Sequence, residues 1–127
     1  MIVTKVSLID LAKAARELSL FLAQYYNVMP KKYKHTLGDI MITKTSNLND
    51  CCRRACYIYD PNEKLLYLKE AELLIVDIVG TIEILFDVDA ITTEHKAKFD
   101  IMAVGIGKQS SAMRKNAEKR LAESDIH

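Results

Sequence analysis

Apolar residues recur three and four positions apart along four long stretches of the chain, a spacing that places them on one face of an α-helix. The stretches predict helices at about residues 7–27, 36–59, 61–89 and 93–122, and hence an all-α fold. The predicted core stripes are, in chain order, Leu8, Leu11, Ala15, Leu18, Leu22 and Tyr25; Leu37, Met41, Leu48, Cys51, Ala55 and Ile58; Leu68, Ala71, Leu74, Ile75, Ile78, Val79, Ile82, Leu85 and Phe86; and Phe99, Met102, Ile106, Met113, Ala117 and Leu121. Short connections favour antiparallel neighbours, so we expect one domain, residues 1–127, folded as an antiparallel up-down-up-down four-helix bundle.

Capping residues mark the predicted helix starts. The clearest start is the third, where Asp60-Pro61-Asn62-Glu63 supplies an N-cap acceptor, a proline at the first helical position and a carboxylate two residues later. Weaker caps are predicted at the other starts, where Ser7 precedes Asp10, Thr36 precedes Asp39, and Thr92 or Thr93 precedes Glu94. The residues between the first two helices, Lys31–His35, are predicted to form a basic loop.

The third predicted helix is apolar on a second side. Leu66, Leu73 and Ile84 lie opposite its core stripe, among acidic residues. A bundle helix needs only one buried stripe, so something else must cover these three side chains. We expect an interface between copies of the chain in a homo-oligomer. The alternative is that this helix lies deep, beneath the first helix or the C-terminal segment.

Charge is distributed unevenly along the chain. The net charge is only +1, but residues 1–59 carry nine Lys and Arg against four Asp and Glu, whereas residues 60–100 carry four against ten. Such asymmetry indicates a polyanionic partner for the basic part. The alternative is that charges on neighbouring helices pair with one another.

The sequence lacks the patterns of common active sites, so we expect a protein that is not an enzyme and has no metal or cofactor. No glutamate has a histidine three residues later, as helical di-iron sites require. Cys51, Cys52 and Cys56 contain no C-x-x-C pair, so we interpret them as reduced thiols of a cytosolic protein. Gly105 and Gly107 are interpreted as sites of close helix packing. No signal-peptide pattern and no membrane-spanning apolar run of roughly 20 residues is present.

Basic residues cluster at three places, and these are the candidate nucleic-acid-binding residues: Lys31, Lys32, Lys34 and His35; Arg53 and Arg54; and Lys108, Arg114, Lys115, Lys119 and Arg120. Tyr25, Tyr26 and Tyr33 flank the first cluster, where aromatic rings could stack on bases beside phosphate-binding cations. In an antiparallel bundle the first two clusters lie toward opposite ends of the subunit. For any single lysine the alternative is an ordinary solvated surface.

Four motifs together resemble one known family. They are MPKKYKHTLGD at Met29–Asp39, YLKEA at Tyr67–Ala71 with the aliphatic run after it, ITTEH at Ile91–His95, and IGK at Ile106–Lys108. In this order they resemble the Avd proteins, the accessory variability determinants of diversity-generating retroelements. The resemblance covers about residues 15–115, and the chain departs from it with SSAM at Ser110–Met113, where the family often has Leu-Gly-Gly-Trp.

The resemblance implies a non-catalytic protein of a bacterial or phage-infected cell. Avd proteins assemble as homopentamers, bind a reverse transcriptase and its template RNA, and support mutagenic copying into a variable gene. The expected partners are therefore a reverse transcriptase, RNA or DNA, and further copies of the chain. A related family, encoded in intervening sequences of 23S rRNA genes, shares the bundle. It supports the alternative of a helical interaction module with no role on nucleic acid.

Overall fold

Four long helices make up most of the molecule. The computed structural model describes the backbone of residues 2–126 and the side chains of residues 11–124. The helices are α1 (Ile2–Val28), α2 (Asp39–Tyr57), α3 (Pro61–Asp87) and α4 (Thr93–Ile126). Residues 2–126 contain no β-strand, so the predicted all-helical class is confirmed. None of the described helices combines the length and apolar character that crossing a membrane requires.

The connection between α1 and α2 is helical, so the predicted loop at Lys31–His35 is wrong. A short helical turn (Lys31–Tyr33) is followed by one turn of π-helix (Lys34–Gly38), which runs directly into α2. The carbonyl of Pro30 accepts from the amides of Tyr33 and Lys34, both at 3.1 Å. Proline is favoured at helix starts and lysine is a good helix former. The charged segment that we predicted to be a loop therefore forms helical turns that lead into α2.

The predicted cap formed by Thr36 and Asp39 is also wrong. Thr36 lies inside the π turn, and its hydroxyl donates to the Tyr33 carbonyl at 3.1 Å. Asp39 instead accepts from the hydroxyl of Tyr26, with 2.6 Å between Oη and Oδ1. The aspartate therefore ties the start of α2 to the end of α1.

Gly38 allows this close approach between α1 and α2. A Cβ atom at Gly38 would lie 2.8 Å from Met29 Sδ and 3.2 Å from the nearest ring carbon of Tyr26. Such distances are well inside van der Waals contact, so a side chain at this position would displace its neighbours. The Leu-Gly-Asp motif at residues 37–39 therefore has a packing role.

Side chains cap α3 and α4 as expected. Asp60 Oδ2 accepts from the Glu63 amide at 3.1 Å, and Thr92 Oγ1 accepts from the His95 amide at the same distance. Helix α1 already begins at Ile2, so the predicted start at Ser7 is wrong; the side chains of Ser7 and Asp10 lie outside the described residues. Helix α3 ends at Asp87, before the predicted 89, and α4 extends beyond 122 to Ile126.

The described residues of the predicted stripes are buried or half-buried, with local differences in α2 and α4; the side chain of Leu8 lies outside the described residues. Cys52, rather than Cys51, is fully buried, and Thr45 is buried as well, with its hydroxyl donating to the Met41 carbonyl at 2.6 Å. A Cβ added at Gly105 or Gly107 would meet nothing within 4 Å, so the predicted close helix packing at these glycines is wrong.

Neighbouring helices contact one another in the order α1–α2, α2–α3, α3–α4 and α4–α1. Two buried polar contacts join different elements, one between residues 65 positions apart and one between residues nine positions apart. The Tyr25 hydroxyl donates to the Ala90 carbonyl, and the ammonium of Lys64 on α3 donates to the Ala55 carbonyl in the last turn of α2. Burial lowers the pKa of Lys64 and raises that of Tyr25 to about 12.

Candidate nucleic-acid interface

The first basic cluster lies on the helical connection before α2. We call Lys31, Lys32 and Lys34 the lysine turn. No described carboxylate lies within ion-pair distance of these three residues. Lys34 Nζ lies 5.0 Å from the ring centroid of Tyr26, and Lys32 Nζ lies 5.5 Å from that of Tyr33. The lysine turn therefore presents uncompensated positive charge beside two aromatic rings.

Two other residues predicted near this cluster have different surroundings. His35 is exposed, with Nδ1 3.9 Å from Asp39 Oδ2, so any positive charge on its ring faces a carboxylate. Tyr25 is 5% exposed and contributes to the core. Its ring is therefore not available to stack on a base.

The second cluster, Arg53 and Arg54, lies near the C-terminal end of α2. Arg53 Nη2 is 3.0 Å from Asp50 Oδ1 on the same helix, and the Arg54 guanidinium carbon is 5.7 Å from the ring centroid of Tyr67 on α3. Helix α2 has 19 residues and rises by about 1.5 Å per residue, or roughly 28 Å in all. The lysine turn and this cluster therefore lie toward opposite ends of α2.

The third cluster divides into paired and unpaired residues. Arg114 Nε is 2.9 Å from Glu72 Oε1, and its Nη1 is 3.0 Å from Glu118 Oε1. The hydrogen bond to Glu72, and to a smaller extent the one to Glu118, raises the pKa of the Arg114 guanidinium. The charge of Arg114 is thus compensated within the subunit. The exposed side chains of Lys108, Lys115 and Lys119 have no carboxylate partner among the described residues.

Arg120 links the third cluster to the end of α2. Its Nη2 donates to the Tyr59 carbonyl at 3.3 Å, and its guanidinium carbon lies 5.2 Å from the Tyr59 ring centroid. Arg53, Arg54 and Arg120 therefore lie in the same region of the subunit, around the turn between α2 and α3. The sequence alone could not bring these residues together, because Arg120 and Tyr59 are 61 positions apart.

A cleft between α1 and α2 contains two cations that the sequence reasoning missed. We call it the α1–α2 cleft; it has a volume of about 520 Å³ and is lined by Ala12, Lys13, Arg16, Asn49, Arg53 and Tyr57. No described carboxylate lies within ion-pair distance of Lys13 or Arg16. Their spacing of three on a helix indicates a shared face. The helix that faces them is not evident from the sequence, which is why the cleft escaped prediction.

The predicted second apolar side of α3 is exposed. Leu66, Leu73 and Ile84 are 68%, 62% and 50% accessible, so no described part of the chain covers them. Val76 on the same helix, and Ile101 and Val104 on α4, are also exposed, which the sequence reasoning did not anticipate. The exposed apolar side chains therefore lie on two helices that contact each other.

Other chemistry in the described part of the chain is limited. No group of three or more His, Cys, Asp or Glu side chains is arranged there to hold a metal ion. Burial raises the pKa of the Cys52 thiol to about 12, and burial with the nearby Glu70 raises that of Cys51. Thiols with raised pKa values are poor nucleophiles near neutral pH.

Comparison with known proteins returned no match to a protein-family model, a curated protein or a solved structure.

Proposed function

We propose that this chain is a non-catalytic accessory protein of a diversity-generating retroelement, which binds template RNA and a reverse transcriptase and supports mutagenic reverse transcription. The order of four motifs that resemble the Avd family supports the retroelement assignment. The RNA-binding part depends on one structural observation. The lysine turn, and Lys13 and Arg16 of the α1–α2 cleft, have no carboxylate partner among the described residues, and both places also contain tyrosine rings.

Those groups suit an RNA strand for two physical reasons. When cations that are not neutralised within the protein contact phosphates, they displace the counterions that surround the RNA backbone. The release of these counterions supplies an affinity that does not depend on sequence. Aromatic rings next to them stack on unpaired bases, at about 1–3 kcal/mol per base. The same groups would bind single-stranded DNA, so RNA is proposed here because of the family resemblance.

We infer that the four helices form an antiparallel up-down-up-down bundle. Support comes from contacts in which a later residue of one helix meets an earlier residue of the next, as antiparallel helices require. Between α1 and α2 the pairs are Ala12 with Cys56 and Tyr26 with Asp39. The pairs are Lys44 with Asp77 and Ala55 with Lys64 between α2 and α3, and Glu72 with Arg114 and Phe86 with Lys96 between α3 and α4. In this arrangement the exposed apolar side of α3 is available to other subunits.

We further propose that Leu66, Leu73 and Ile84 form the interface of a homo-oligomer, which is a pentamer by the resemblance. Repeating the lysine turn and the cleft in each subunit would give one assembly several strongly positive sites. Replacing Leu73 with glutamate should convert the oligomer to monomer in light scattering coupled to size exclusion, while α-helical circular dichroism is retained. A monomeric parent protein would contradict the interface.

The proposed function is tested by adding the purified protein to the reverse transcriptase and template RNA of a diversity-generating retroelement. We expect cDNA synthesis to increase, and we expect the increase to fall when Lys31, Lys32 and Lys34 are changed together to glutamine. A variant with Lys98 changed to glutamine is the matched control, because Lys98 lies 3.9 Å from Glu94 and its charge is already compensated. Unchanged cDNA synthesis with the parent protein would refute the proposal.

A second candidate is a helical interaction module with no role on nucleic acid. The ion pairs of Arg114 with Glu72 and Glu118, and of Arg53 with Asp50, favour it, because these arginines are occupied by carboxylates of the same subunit. Such a module would show no salt-dependent affinity for RNA.

A further inference from the structure

We propose that the α1–α2 cleft binds one nucleotide, with its phosphate held between Lys13, Arg16 and Arg53 and its base stacked on the ring of Tyr57. The ligand chemistry is a phosphate joined to a planar base, either as a free mononucleotide or as one unit of a single strand. The inference depends on the proposed function for the choice of an RNA strand, and the cleft can be tested without it.

Charge and shape support the phosphate position. Three cations line the cleft, and among the described residues only one carboxylate, Asp50, is paired with them; it lies outside the lining. Asp50 engages Nη2 of Arg53, and a guanidinium has five N–H donors, so four remain for a ligand. The volume of about 520 Å³ lies within the range of roughly 300–1,000 Å³ that small-molecule sites occupy.

The base position follows from the surroundings of Tyr57. Four of the six tyrosines, Tyr26, Tyr33, Tyr59 and Tyr67, have a cation of this chain near the ring, and Tyr25 is buried. Tyr57 is 72% exposed, and no described cation lies over its ring. Its ring faces are therefore open to a stacked base, beside the three cations.

The two helices hold these groups in a fixed relation. Asn49, Arg53 and Tyr57 are spaced four residues apart on α2, which places them along one face. Lys13 and Arg16 face them from α1, which contacts α2 directly. Asn49 offers an amide donor and acceptor to the edge of a base. Rigid helices position a site more accurately than loops do, so nucleotide binding should require little reorganisation.

The experiment measures binding by fluorescence anisotropy, with a labelled single-stranded RNA oligonucleotide and, in separate titrations, with a labelled mononucleotide. Unlabelled mononucleotide and inorganic phosphate serve as competitors. The variants are Tyr57→Ala, Tyr57→Phe and the double variant Lys13→Gln/Arg16→Gln. Tyr59→Ala is the matched control, because Tyr59 is an exposed tyrosine near the same end of α2 but outside the cleft. Circular dichroism checks that each variant retains its helices.

We expect Tyr57→Ala to weaken RNA binding by about 5- to 150-fold, from a stacking contribution of about 1–3 kcal/mol. Tyr57→Phe keeps the ring and should bind like the parent, as should Tyr59→Ala. Because the cleft holds one phosphate, the double variant should make the slope of log K against log salt shallower by up to about 0.7, the value for one phosphate contact of a single strand. Mononucleotide should compete more strongly than inorganic phosphate.

The outcomes separate the cleft from the proposed function. If the parent binds RNA and all the variants bind it equally, the cleft proposal is overturned and the proposed function stands. If the parent binds mononucleotide in a Tyr57-dependent way but does not bind RNA, the cleft is supported as a free-nucleotide site and the proposed function fails. Competition by inorganic phosphate as strong as by mononucleotide, with no effect of Tyr57→Ala, would overturn the stacking.

Discussion

Replacing Gly38 with alanine adds one methyl group where the start of α2 presses against the end of α1. The new Cβ would lie 2.8 Å from Met29 Sδ and 3.2 Å from the Tyr26 ring. Met29 is buried, and the Tyr26 ring is held by its hydrogen bond to Asp39, so both neighbours have limited room to move. Overpacking of this kind costs about 1–3 kcal/mol.

The methyl group also has a favourable effect that must be separated from the steric cost. Gly38 has helical backbone angles, φ −63° and ψ −44°, and alanine is about 0.8–1 kcal/mol more favourable than glycine in a helix. Gly107 on α4 is the matched control, because a Cβ there meets nothing within 4 Å. Gly107→Ala should therefore gain the propensity term alone, and the difference between the two variants should equal the steric cost.

Urea unfolding, at one protein concentration for all samples, measures this difference. We expect Gly107→Ala to be more stable than the parent by up to about 1 kcal/mol, and Gly38→Ala to be about 1–3 kcal/mol less stable than Gly107→Ala, with similar m-values. Equal stability of the two alanine variants would refute the packing role of Gly38. It would also remove the structural reason for the Leu-Gly-Asp motif.

Three further predictions concern caps and buried groups. Asp60→Ala should destabilise the protein by about 1 kcal/mol in the same urea assay. Asp60→Asn keeps a side-chain acceptor, so its free energy of unfolding should fall by less. Equal destabilisation by the two substitutions would exclude the cap at Asp60. Cys51 should react with a thiol reagent at pH 8 before Cys52, which should react only in denaturant. Mass spectrometry with fragmentation of the labelled peptides tests this, and early labelling of Cys52 would contradict its burial. Tyr25→Phe leaves the Ala90 carbonyl without its donor and should cost about 1–3 kcal/mol near pH 8. The pKa of Tyr25 is raised from 10.0 to about 12 in the folded protein, so its hydroxyl stays protonated to a higher pH there than in the unfolded chain. The free energy of unfolding of the parent should therefore fall between pH 10 and 12. The difference in free energy of unfolding between the parent and Tyr25→Phe should then become smaller. A difference that grows above pH 10 would refute the raised pKa of Tyr25.

The helices were predictable because burial imposes a period that a single stretch of sequence displays. Leu11, Leu18 and Leu22 on α1 are all buried where their spacing places them. The cap at Asp60 was predictable for the same reason, since its partner is only three residues away. Local patterns therefore defined the elements and most of their core faces.

The features that sequence reasoning missed depend on contacts between elements. The π turn before α2 could not be predicted from local propensity. Its Gly38 packs on Met29 and Tyr26, which lie at the end of the preceding helix, so the turn depends on a contact between elements. The pairing of Arg114 with Glu72 joins positions 42 residues apart. The α1–α2 cleft likewise needs the register between two helices. Cation clusters were visible in the sequence, but their compensation by carboxylates was not.

The most direct test of RNA binding is the affinity of the parent protein for single-stranded RNA across a range of salt concentrations. We predict that log K falls linearly with log salt, and that neutralising the lysine turn makes the slope shallower by about 2, at roughly 0.7 for each of three cations. An affinity that does not change with salt would contradict RNA binding through these cations and would favour the interaction module.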